Sequence, residues 1–430
     1  MKYEISTLSN GLRVVAAPLK ERRSVAMGIW VHAGGRDETP RLNGAAHFLE
    51  HVVFKGTATR TADQIKEAVE GVGGSLNAFT SEEYTCFLAK ASSKHFNQVF
   101  DVLADMVLNP SLTGKDIEKE RTVILEEIKM VQDQPGQLAE EHLAEITWPG
   151  HPIGRPLTGT LDTVGSFTRK DIKYFRDYFY KPNLITVAAS GAIDQRKLLK
   201  AAASHFGAIR QTAEKKFEEF KNTQTKPRLK LLSKPTEQTH LAFAIHALPK
   251  DHPDEYALDI LSVILGGNMS SRLFNEVREK RGLAYDIGSF TRKFRETGVF
   301  GVEAGVDNKK VNEAVRVIAK ELGKTAQGLV KPGELKRAKE FYLGQLDLGL
   351  ESSMSHMIWV GESAVSLGRC KTPAEVARHV GKVTAHDLRR VARNIFKTSS
   401  LNFVAIGPRK HQLEKALHGF LFSALPDIWN

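Results

Sequence analysis

Two periodic patterns of apolar and polar residues recur along the chain. Segments such as Ser24–His32 and Leu184–Ser190 are predicted to be strands. Other segments place apolar residues every three to four positions, which predicts amphipathic helices. Strands and helices mixed in this way predict an α+β fold, in which helices pack on mixed sheets.

The predicted elements follow the same order in the two halves of the chain. Each half contains a strand, a helix, a turn and then a long helix. The predicted ranges are Thr85–Lys90, His95–Leu108 and Lys115–Asp133 in the first half, and Gly298–Gly305, Lys310–Leu322 and Glu334–Leu348 in the second. Self-similarity on this scale indicates a duplicated unit, so two homologous domains are predicted.

A polar stretch near the middle of the chain separates the two repeats. Residues 211–235 contain few apolar side chains, as linkers between domains do. We therefore expect an N-terminal domain at residues 1–210 and a homologous C-terminal domain at residues 236–430. Two domains also suit a chain of 430 residues, which is long for a single core.

The composition is that of a globular protein, with 41% hydrophobic and 26% charged residues. No apolar run is long enough to predict a membrane span. Residues 1–15 lack the apolar core of a signal peptide and the arginine-rich composition of a mitochondrial presequence, so we expect a cytoplasmic protein. Cys86 and Cys370 have no neighbours at metal-ligand spacing and are predicted to be small packed residues.

The net charge of +11 is compatible with nucleic-acid binding. The basic residues are spread along the chain in short pairs such as Arg22-Arg23, and no nucleic-acid-binding motif accompanies them. We therefore expect no nucleic-acid partner. The alternative, a basic nucleic-acid binder, predicts salt-sensitive binding to heparin.

Residues 43–56 predict a short helix that carries two histidines. Asn43 is a suitable N-cap, and Gly56 is a suitable stop after the last turn. His47 and His51 are four residues apart, so both rings project from the same face of the helix. Two imidazoles on adjacent turns can share one tetrahedral zinc ion.

Glu50 lies three residues after His47 and directly before His51, and therefore projects beside the predicted metal. From there it could take a proton from an attacking water molecule. The pattern H-x-x-E-H is a metallopeptidase signature. A buried helix with two hydrogen-bonded histidines is the alternative, because the pattern supplies two ligands and zinc needs a third protein donor.

The long helix Lys115–Asp133 can provide that donor. Most of its apolar residues fall along one arc at the helical period, and Glu127 lies within the arc, one turn from Val123 and Val131. A carboxylate buried there must be paired or bound to a metal, because burying it alone costs several kcal/mol. Glu127 is therefore the candidate ligand, with an ordinary ion pair as the alternative. Glu120, on the same face, could orient a histidine.

These residues resemble the pitrilysin/insulinase family of zinc metallopeptidases. The closest resemblance is to its two-domain branch, which includes mitochondrial processing peptidase and bacterial relatives. His47–His51 matches the inverted motif of the family. The family's third ligand is a glutamate on a later helix, at a spacing that corresponds to Glu127. Its supporting glutamate, seven residues earlier, corresponds to Glu120.

A second resemblance concerns substrate binding. Gly73–Thr80 is similar to the family segment whose asparagine and alanine line the substrate strand next to the metal. The resemblance implies that Asn77, Ala78 and Phe79 bind substrate. An extended peptide would then add to this strand by main-chain hydrogen bonds.

A third resemblance lies in the second half. Val277–Tyr285 is similar to the family motif in which an arginine and a tyrosine reach the active site from the facing domain. Arg278 and Tyr285 occupy those positions, which implies that they stabilise an oxyanion or hold the substrate. The second half has no histidine pair in its corresponding helix, Ala257–Leu265, so only the first half is expected to be catalytic.

The resemblance implies a zinc endopeptidase with one zinc ion per chain. It would hydrolyse peptides or unfolded, presequence-like segments inside a closed chamber formed by two chains. A homodimer is expected, because one chain carries both the zinc motif and the arginine–tyrosine pair; a heterodimer with a related chain is the alternative. A non-catalytic docking subunit of a processing-peptidase-like complex is a further alternative, which the intact ligand set disfavours.

Overall fold

The computed structural model describes residues 3–213, 215 and 217–408 of the chain. Within them the chain forms two compact units, each built around one β-sheet. The first unit contains the described residues up to Lys129 together with Arg155–Glu218 and Asp347–Pro373. The second unit contains Met130–Gly154, Glu219–Leu346 and the described residues from Ala374 onwards.

The strands of the first sheet are β1 (Glu4–Thr7), β2 (Arg13–Pro18), β3 (Ser24–Val31), β4 (Ser75–Thr80), β5 (Thr85–Ser92) and β6 (Ile185–Gly191). Those of the second sheet are β7 (Arg228–Ser233), β8 (Gln238–Ala247), β9 (Ala284–Lys293), β10 (Gly298–Asp307) and β11 (Leu401–Gly407).

The helices of the first half are α1 (Ala45–Val52), α2 (Ala62–Glu70), α3 (Phe96–Leu108), α4 (Gly114–Asp133), α5 (Pro135–Thr147), α6 (Leu161–Ser166), α7 (Arg169–Phe179) and α8 (Gln195–Phe206). Those of the second half are α9 (Glu255–Gly266), α10 (Val311–Gln327), α11 (Pro332–Gly349), α12 (Ser353–Leu367), α13 (Pro373–Lys382) and α14 (Ala385–Ile395).

Both sheets are mixed. The first has the strand order β1-β2-β6-β3-β5-β4, and the second has the order β7-β11-β8-β10-β9. Each contains one parallel pair, β2 with β6 and β7 with β11, among antiparallel pairs. The predicted α+β fold, with helices packed on two mixed sheets, is therefore confirmed.

The internal repeat is also visible in the structure. In the first half β5 leads into α3 and then into the long helix α4, and in the second half β10 leads into α10 and then α11. The order strand, helix, long helix agrees with the expected order in both halves. The helical stretch Ala257–Leu265, which lacks histidines, lies inside α9.

One helix of the second half packs in the first unit. Helix α12 lies against β3 and β6, on the face of the first sheet where Trp30, Met357 and Val360 form an apolar cluster. Its approach to the sheet is close at Gly361, where an added Cβ atom would lie 2.1 Å from the Trp30 ring nitrogen. A glycine at this position allows the helix to contact the indole ring directly.

The reverse exchange occurs in the second unit. Helix α5, from the first half, packs against β8 and β11, and Ala139 and Leu143 share a buried cluster with Ala242 and Val404. Each sheet is thus covered on one face by a helix from the other half of the sequence. A division of the chain at residues 211–235 does not anticipate this exchange.

The two cysteines are free thiols that pack beside the apolar cluster under α12. Cys86 is fully buried in that cluster, and Cys370 is partly buried against it. Among the described helices, none combines the length and the apolar character needed to cross a membrane.

Candidate metal centre

A buried carboxylate holds the start of helix α1. The helix begins at Ala45, and the expected N-cap Asn43 does not accept a bond from its first turn. Instead Glu38 accepts hydrogen bonds from the backbone N–H groups of Gly44 at 2.8 Å and Ala46 at 2.7 Å. Asn43 donates its amide to the same carboxylate at 3.1 Å. The N-cap prediction for Asn43 is therefore wrong, because the acceptor comes from outside the helix.

Close backbone packing also fixes this end of the helix. Gly44 has a φ of +95°, and a Cβ atom there would lie 2.8 Å from both Gly159 Cα and the carbonyl oxygen of Thr158. The positive φ and the lack of space for a Cβ atom both require a glycine at this position. Burial raises the pKa of Glu38 to about 8, although the three donors lower it.

The C-terminal end of the predicted helix lies close to Gly56, where the sequence predicts a stop. The α-helical part ends at Val52, and a turn of 3₁₀-helix, Val53–Lys55, continues to Gly56. Gly56 has a φ of +133°, which favours glycine, and it ends the element as expected.

The two histidines of α1 converge with a carboxylate from α4. The ring centroids of His47 and His51 are 4.7 Å apart. The Nε2 atoms of both rings lie 3.7 Å from the same oxygen, Oε2 of Glu127. Among the described residues, these three form the one group of potential metal ligands whose donor atoms all lie within 4.8 Å of one another.

These distances suit a bound cation better than direct hydrogen bonds. A separation of 3.7 Å is too long for a hydrogen bond. Two donors of a tetrahedral zinc site with bonds of about 2.0 Å stand about 3.3 Å apart. Two imidazoles and one carboxylate also form a known donor set for catalytic zinc, which leaves the fourth position for water or substrate. The residues present therefore fit a zinc ion.

The protonation of His47 favours the same conclusion. Burial, helped by the neighbouring His51, lowers the pKa of His47 to about 4. The ring is therefore neutral near pH 7, which is the form that binds metal. Its Nδ1 atom is buried and makes no hydrogen bond with the described residues.

Glu120 contacts His51 on the side away from Glu127. Its Oε2 atom lies 3.3 Å from His51 Nδ1, and its Oε1 atom lies 2.8 Å from the ammonium group of Lys55. With Nδ1 protonated, His51 donates to Glu120 and keeps Nε2 free to face Glu127. This is the kind of orienting contact expected for Glu120.

The packing of α4 differs from the expected arc. The buried residues of the helix are Ile117, Glu120, Ile124 and Ile128, whereas Val123 is 45% exposed. Glu127 therefore lies at the edge of the buried face and not within it, with a third of its side chain exposed. Its carboxylate faces the histidines of α1 and remains accessible from solvent.

Glu50 has a hydrogen-bond partner that the sequence reasoning did not identify. The hydroxyl of Thr80, the last residue of β4, donates to Glu50 Oε2 at 2.5 Å. Burial raises the pKa of Glu50, and the Thr80 hydrogen bond and His51 oppose this rise. Thr80 closes the segment Gly73–Thr80, but its position in the segment gave no signal that its hydroxyl reaches a helix.

Strand β4 forms an edge of the first sheet. It pairs with β5 on one side, and the strand order places no described strand on its other side. The N–H of Ala78 is bonded to Asn77 Oδ1 at 2.8 Å and so does not point to β5. The main chain of Ala78 thus faces the free edge of the sheet.

Phe79 is oriented differently from its neighbours. Its ring packs edge-on against Trp30, with the centroids 5.6 Å apart. The N–H of Ser81 bonds to the carbonyl of Tyr84, and the alternation of an antiparallel pair then turns the main chain of Phe79 towards β5. Phe79 therefore offers neither its ring nor its main chain directly to a ligand at the edge.

Arg278 and Tyr285 lie together in the second unit. The Arg278 guanidinium stands 5.1 Å from the centre of the Tyr285 ring and 4.7 Å from that of Phe274. Arg278 belongs to a turn of π-helix, Phe274–Glu279, and Tyr285 is 73% exposed. The pair is thus a cation–π contact with an accessible phenol.

Comparison with known proteins gives the same family for both halves. Residues 13–161 match the model for "Insulinase (Peptidase family M16)", and residues 166–342 match the model for "Peptidase M16 inactive domain". The chain is 37% identical to a zinc protease of Streptomyces coelicolor over 420 aligned residues. The alignment covers 96% of this chain and 91% of that protein. It is 35% identical to a zinc protease of Bacillus subtilis, over 91% of this chain and 95% of that one.

Solved structures agree with these matches. A protease from Helicobacter pylori superimposes with a TM-score of 0.88 at 26% identity, over 94% of this chain and 99% of that chain. A Peptidase M16 inactive domain from Pseudomonas fluorescens also gives a TM-score of 0.88, at 18% identity, and shows the fold alone.

Proposed function

Because this chain belongs to the insulinase family of M16 peptidases, we propose that it is a zinc-dependent endopeptidase. In this proposal His47, His51 and Glu127 hold one zinc ion per chain, and Glu50 is the general base. The observation that carries the proposal is the convergence of three donor atoms from α1 and α4 within 4.8 Å. The names of the relatives, zinc proteases, support the choice of metal and reaction.

Each residue of the centre has a chemical task in this reaction. Zinc, when bound, supplies a Lewis acid for peptide hydrolysis. Glu50 takes a proton from the attacking water and passes it to the leaving amine. The Thr80 hydroxyl orients the Glu50 carboxylate, and Glu120 holds the ring of His51.

The free edge of β4 is the proposed substrate-binding strand. An extended peptide forms main-chain hydrogen bonds with Ala78, after it displaces the Asn77 amide oxygen from the Ala78 N–H. Recognition through the main chain favours flexible or unfolded peptides, such as presequence-like segments, over folded proteins. We place Arg278 and Tyr285 at the substrate carbonyl, on the basis of the family resemblance and the exposure of the Tyr285 phenol.

Substitution of the base and of a ligand tests the proposal. Glu50→Gln is expected to keep stoichiometric zinc but to lose peptide hydrolysis by at least 100-fold, because an amide cannot accept the proton. Glu127→Gln is expected to release zinc, because a neutral amide is a poorer ligand. Metal analysis and a peptide-library digest read by mass spectrometry measure both effects. Substantial cleavage by Glu50→Gln would refute the role of Glu50, and a protein that purifies without zinc would favour a docking subunit.

We also propose a homodimer that closes a chamber around the substrate, with Arg278 and Tyr285 acting in the site of the partner. Mixing Glu50→Gln chains with Tyr285→Phe chains is then expected to restore activity, because one site in each mixed dimer keeps both residues. Each variant alone is the control. No recovery after chain exchange, with both single variants inactive, would contradict the shared site.

A further inference from the structure

A cleft of about 690 Å³ opens at one end of the first sheet. The start of β3, the start of β4 and the end of β5 form its wall. Three basic residues line it, Arg22, Arg23 and Lys90, against a single acidic residue, Glu21. The cleft therefore carries an excess of positive charge.

Most of this charge is not neutralised within the protein. Neither Arg23 nor Lys90 forms an ion pair with any residue that the structure describes. The Arg22 guanidinium donates to the main-chain carbonyl of Glu351 at 2.5 Å, which satisfies a donor but leaves the charge uncompensated. A carboxylate is the complementary ligand for such a group of cations.

Strand β4 connects this cleft with the candidate metal centre. Ser75 lines the cleft and begins β4, and Lys90 is its register partner on β5. Thr80 ends the strand and contacts Glu50. The five steps from Ser75 to Thr80 correspond to about 17 Å of extended chain. One peptide on the free edge of β4 can therefore reach both places.

The geometry of strand pairing fixes which part of the peptide reaches the cleft. Residues directly opposite each other in a sheet share a face, so a peptide residue opposite Ser75 points its side chain to the face that carries Lys90. Antiparallel pairing is slightly more stable per residue than parallel pairing. In that direction the peptide runs from Thr80 towards Ser75, and its C-terminal part lies at the cleft.

We propose that this cleft binds a carboxylate of the peptide substrate about five residues after the scissile bond. The carboxylate belongs to an acidic side chain or to the C-terminus of the peptide. The inference rests on the proposed peptidase function and adds to it a preference in substrate charge.

The test measures binding and cleavage separately. A peptide with one cleavage site is synthesised with Glu, Gln or Lys at each of the third to seventh positions after the scissile bond, with a C-terminal amide or a free carboxylate. Binding to zinc-loaded Glu50→Gln protein is measured by fluorescence anisotropy, and kcat/KM is measured with the unaltered protein. Glu at one of these positions is expected to increase affinity and kcat/KM by about tenfold over Gln, as charged hydrogen bonds do.

Charge reversal in the cleft provides the matched variants. Arg23→Glu and Lys90→Glu are expected to abolish the preference for Glu and to favour Lys. Arg196→Glu and Lys200→Glu are the controls, because both residues are exposed on α8, which packs against β2, four positions away from β4 in the sheet. The controls carry the same change in net charge and are expected to keep the preference. Added salt should weaken the preference of the unaltered protein.

The outcomes separate the two proposals. Equal treatment of Glu, Gln and Lys peptides at all of these positions, together with equal treatment of the free C-terminus and its amide, overturns the cleft proposal and leaves the peptidase intact. If binding depends on peptide charge but the zinc-loaded unaltered protein hydrolyses no peptide, the cleft proposal stands and the peptidase proposal is overturned. Tighter binding and faster cleavage of the free-carboxylate peptide than of its amide, with Glu and Gln treated alike, identifies the C-terminus as the source of the carboxylate.

Discussion

At the scale of single residues, the candidate metal centre depends on side chains that orient His51 and Glu50 by direct contact. Glu120 contacts the His51 ring nitrogen that faces away from Glu127, and Thr80 donates to Glu50. Such supporting contacts fix the tautomer of a ligand and the direction of a base. They are also where local reasoning from the sequence reaches its limit, because nothing in the sequence around Thr80 indicates which carboxylate its hydroxyl meets.

The Thr80 contact leads to a pH prediction. The hydrogen bond lowers the pKa of Glu50 against the rise that burial causes. Thr80→Val removes that bond, so the pKa of Glu50 rises and the base is protonated at a higher pH. The acid limb of the kcat/KM profile is therefore expected to move to higher pH by about half a unit to one unit.

Thr80→Ser is the control for this shift, because it keeps a hydroxyl at the same place and should retain the original profile. A profile of Thr80→Val that coincides with that of the unaltered protein would show that the hydroxyl does not set the pKa of Glu50.

At the scale of elements, helix α1 is positioned by contacts that come from outside it. The histidine spacing was predictable, because both rings lie on one helix and the helical period alone puts them on one face. The acceptor at its N-terminus was not predictable, because Glu38 precedes the helix and folds back on it. The partial error on α4 has a similar cause: tertiary packing selected Ile124 and Ile128 for burial and left Val123 exposed.

The Glu38 contacts predict a large effect on stability. Glu38→Ala leaves the N–H groups of Gly44 and Ala46 and the Asn43 amide without their acceptor in a buried place. The free energy of unfolding is expected to fall by about 3 kcal/mol, within the range for unsatisfied buried groups. Zinc affinity should fall with it, because α1 carries both of the proposed histidine ligands.

Urea denaturation and a chelator competition measure these two quantities. Glu70→Ala is the matched control, since Glu70 is exposed at the end of α2, and it should change stability by no more than about 0.5 kcal/mol. If Glu38→Ala is as stable as this control, the carboxylate does not hold the helix.

At the scale of the whole molecule, the duplicated plan was predictable and the exchange of helices was not. The repeat could be predicted because the periodic pattern of apolar residues within each half indicates the strands and helices of that half. The packing of α12 on the first sheet includes the close contact between Gly361 and Trp30, which are far apart in sequence. The periodicity of the sequence predicts that α12 has an apolar face, but it does not indicate which sheet that face packs against.

The exchange predicts that a residue late in the chain supports the first unit. In Gly361→Ala the new Cβ atom would lie 2.1 Å from the Trp30 ring nitrogen, so α12 or the indole must shift. Overpacking of this kind costs about 1–3 kcal/mol, and the thermal unfolding temperature of the protein should fall. Gly344→Ala, also within a helix, is the control. Its Cβ atom meets nothing within 4 Å, and it should stabilise the helix by about 1 kcal/mol.

Differential scanning calorimetry compares the two variants. Equal unfolding temperatures for Gly361→Ala and Gly344→Ala would mean that α12 does not need its close contact with Trp30.

The same exchange has a consequence during synthesis of the protein on the ribosome. Strands β1–β6 are complete once Gly191 has emerged, but the helix that covers Trp30 begins only at Ser353. At the usual 5–20 residues per second, the ribosome needs roughly 8–30 s to make the intervening chain. Through that interval we expect the apolar face around Trp30 to lack its covering helix, and exposed apolar surface of this kind is what chaperones recognise in folding intermediates.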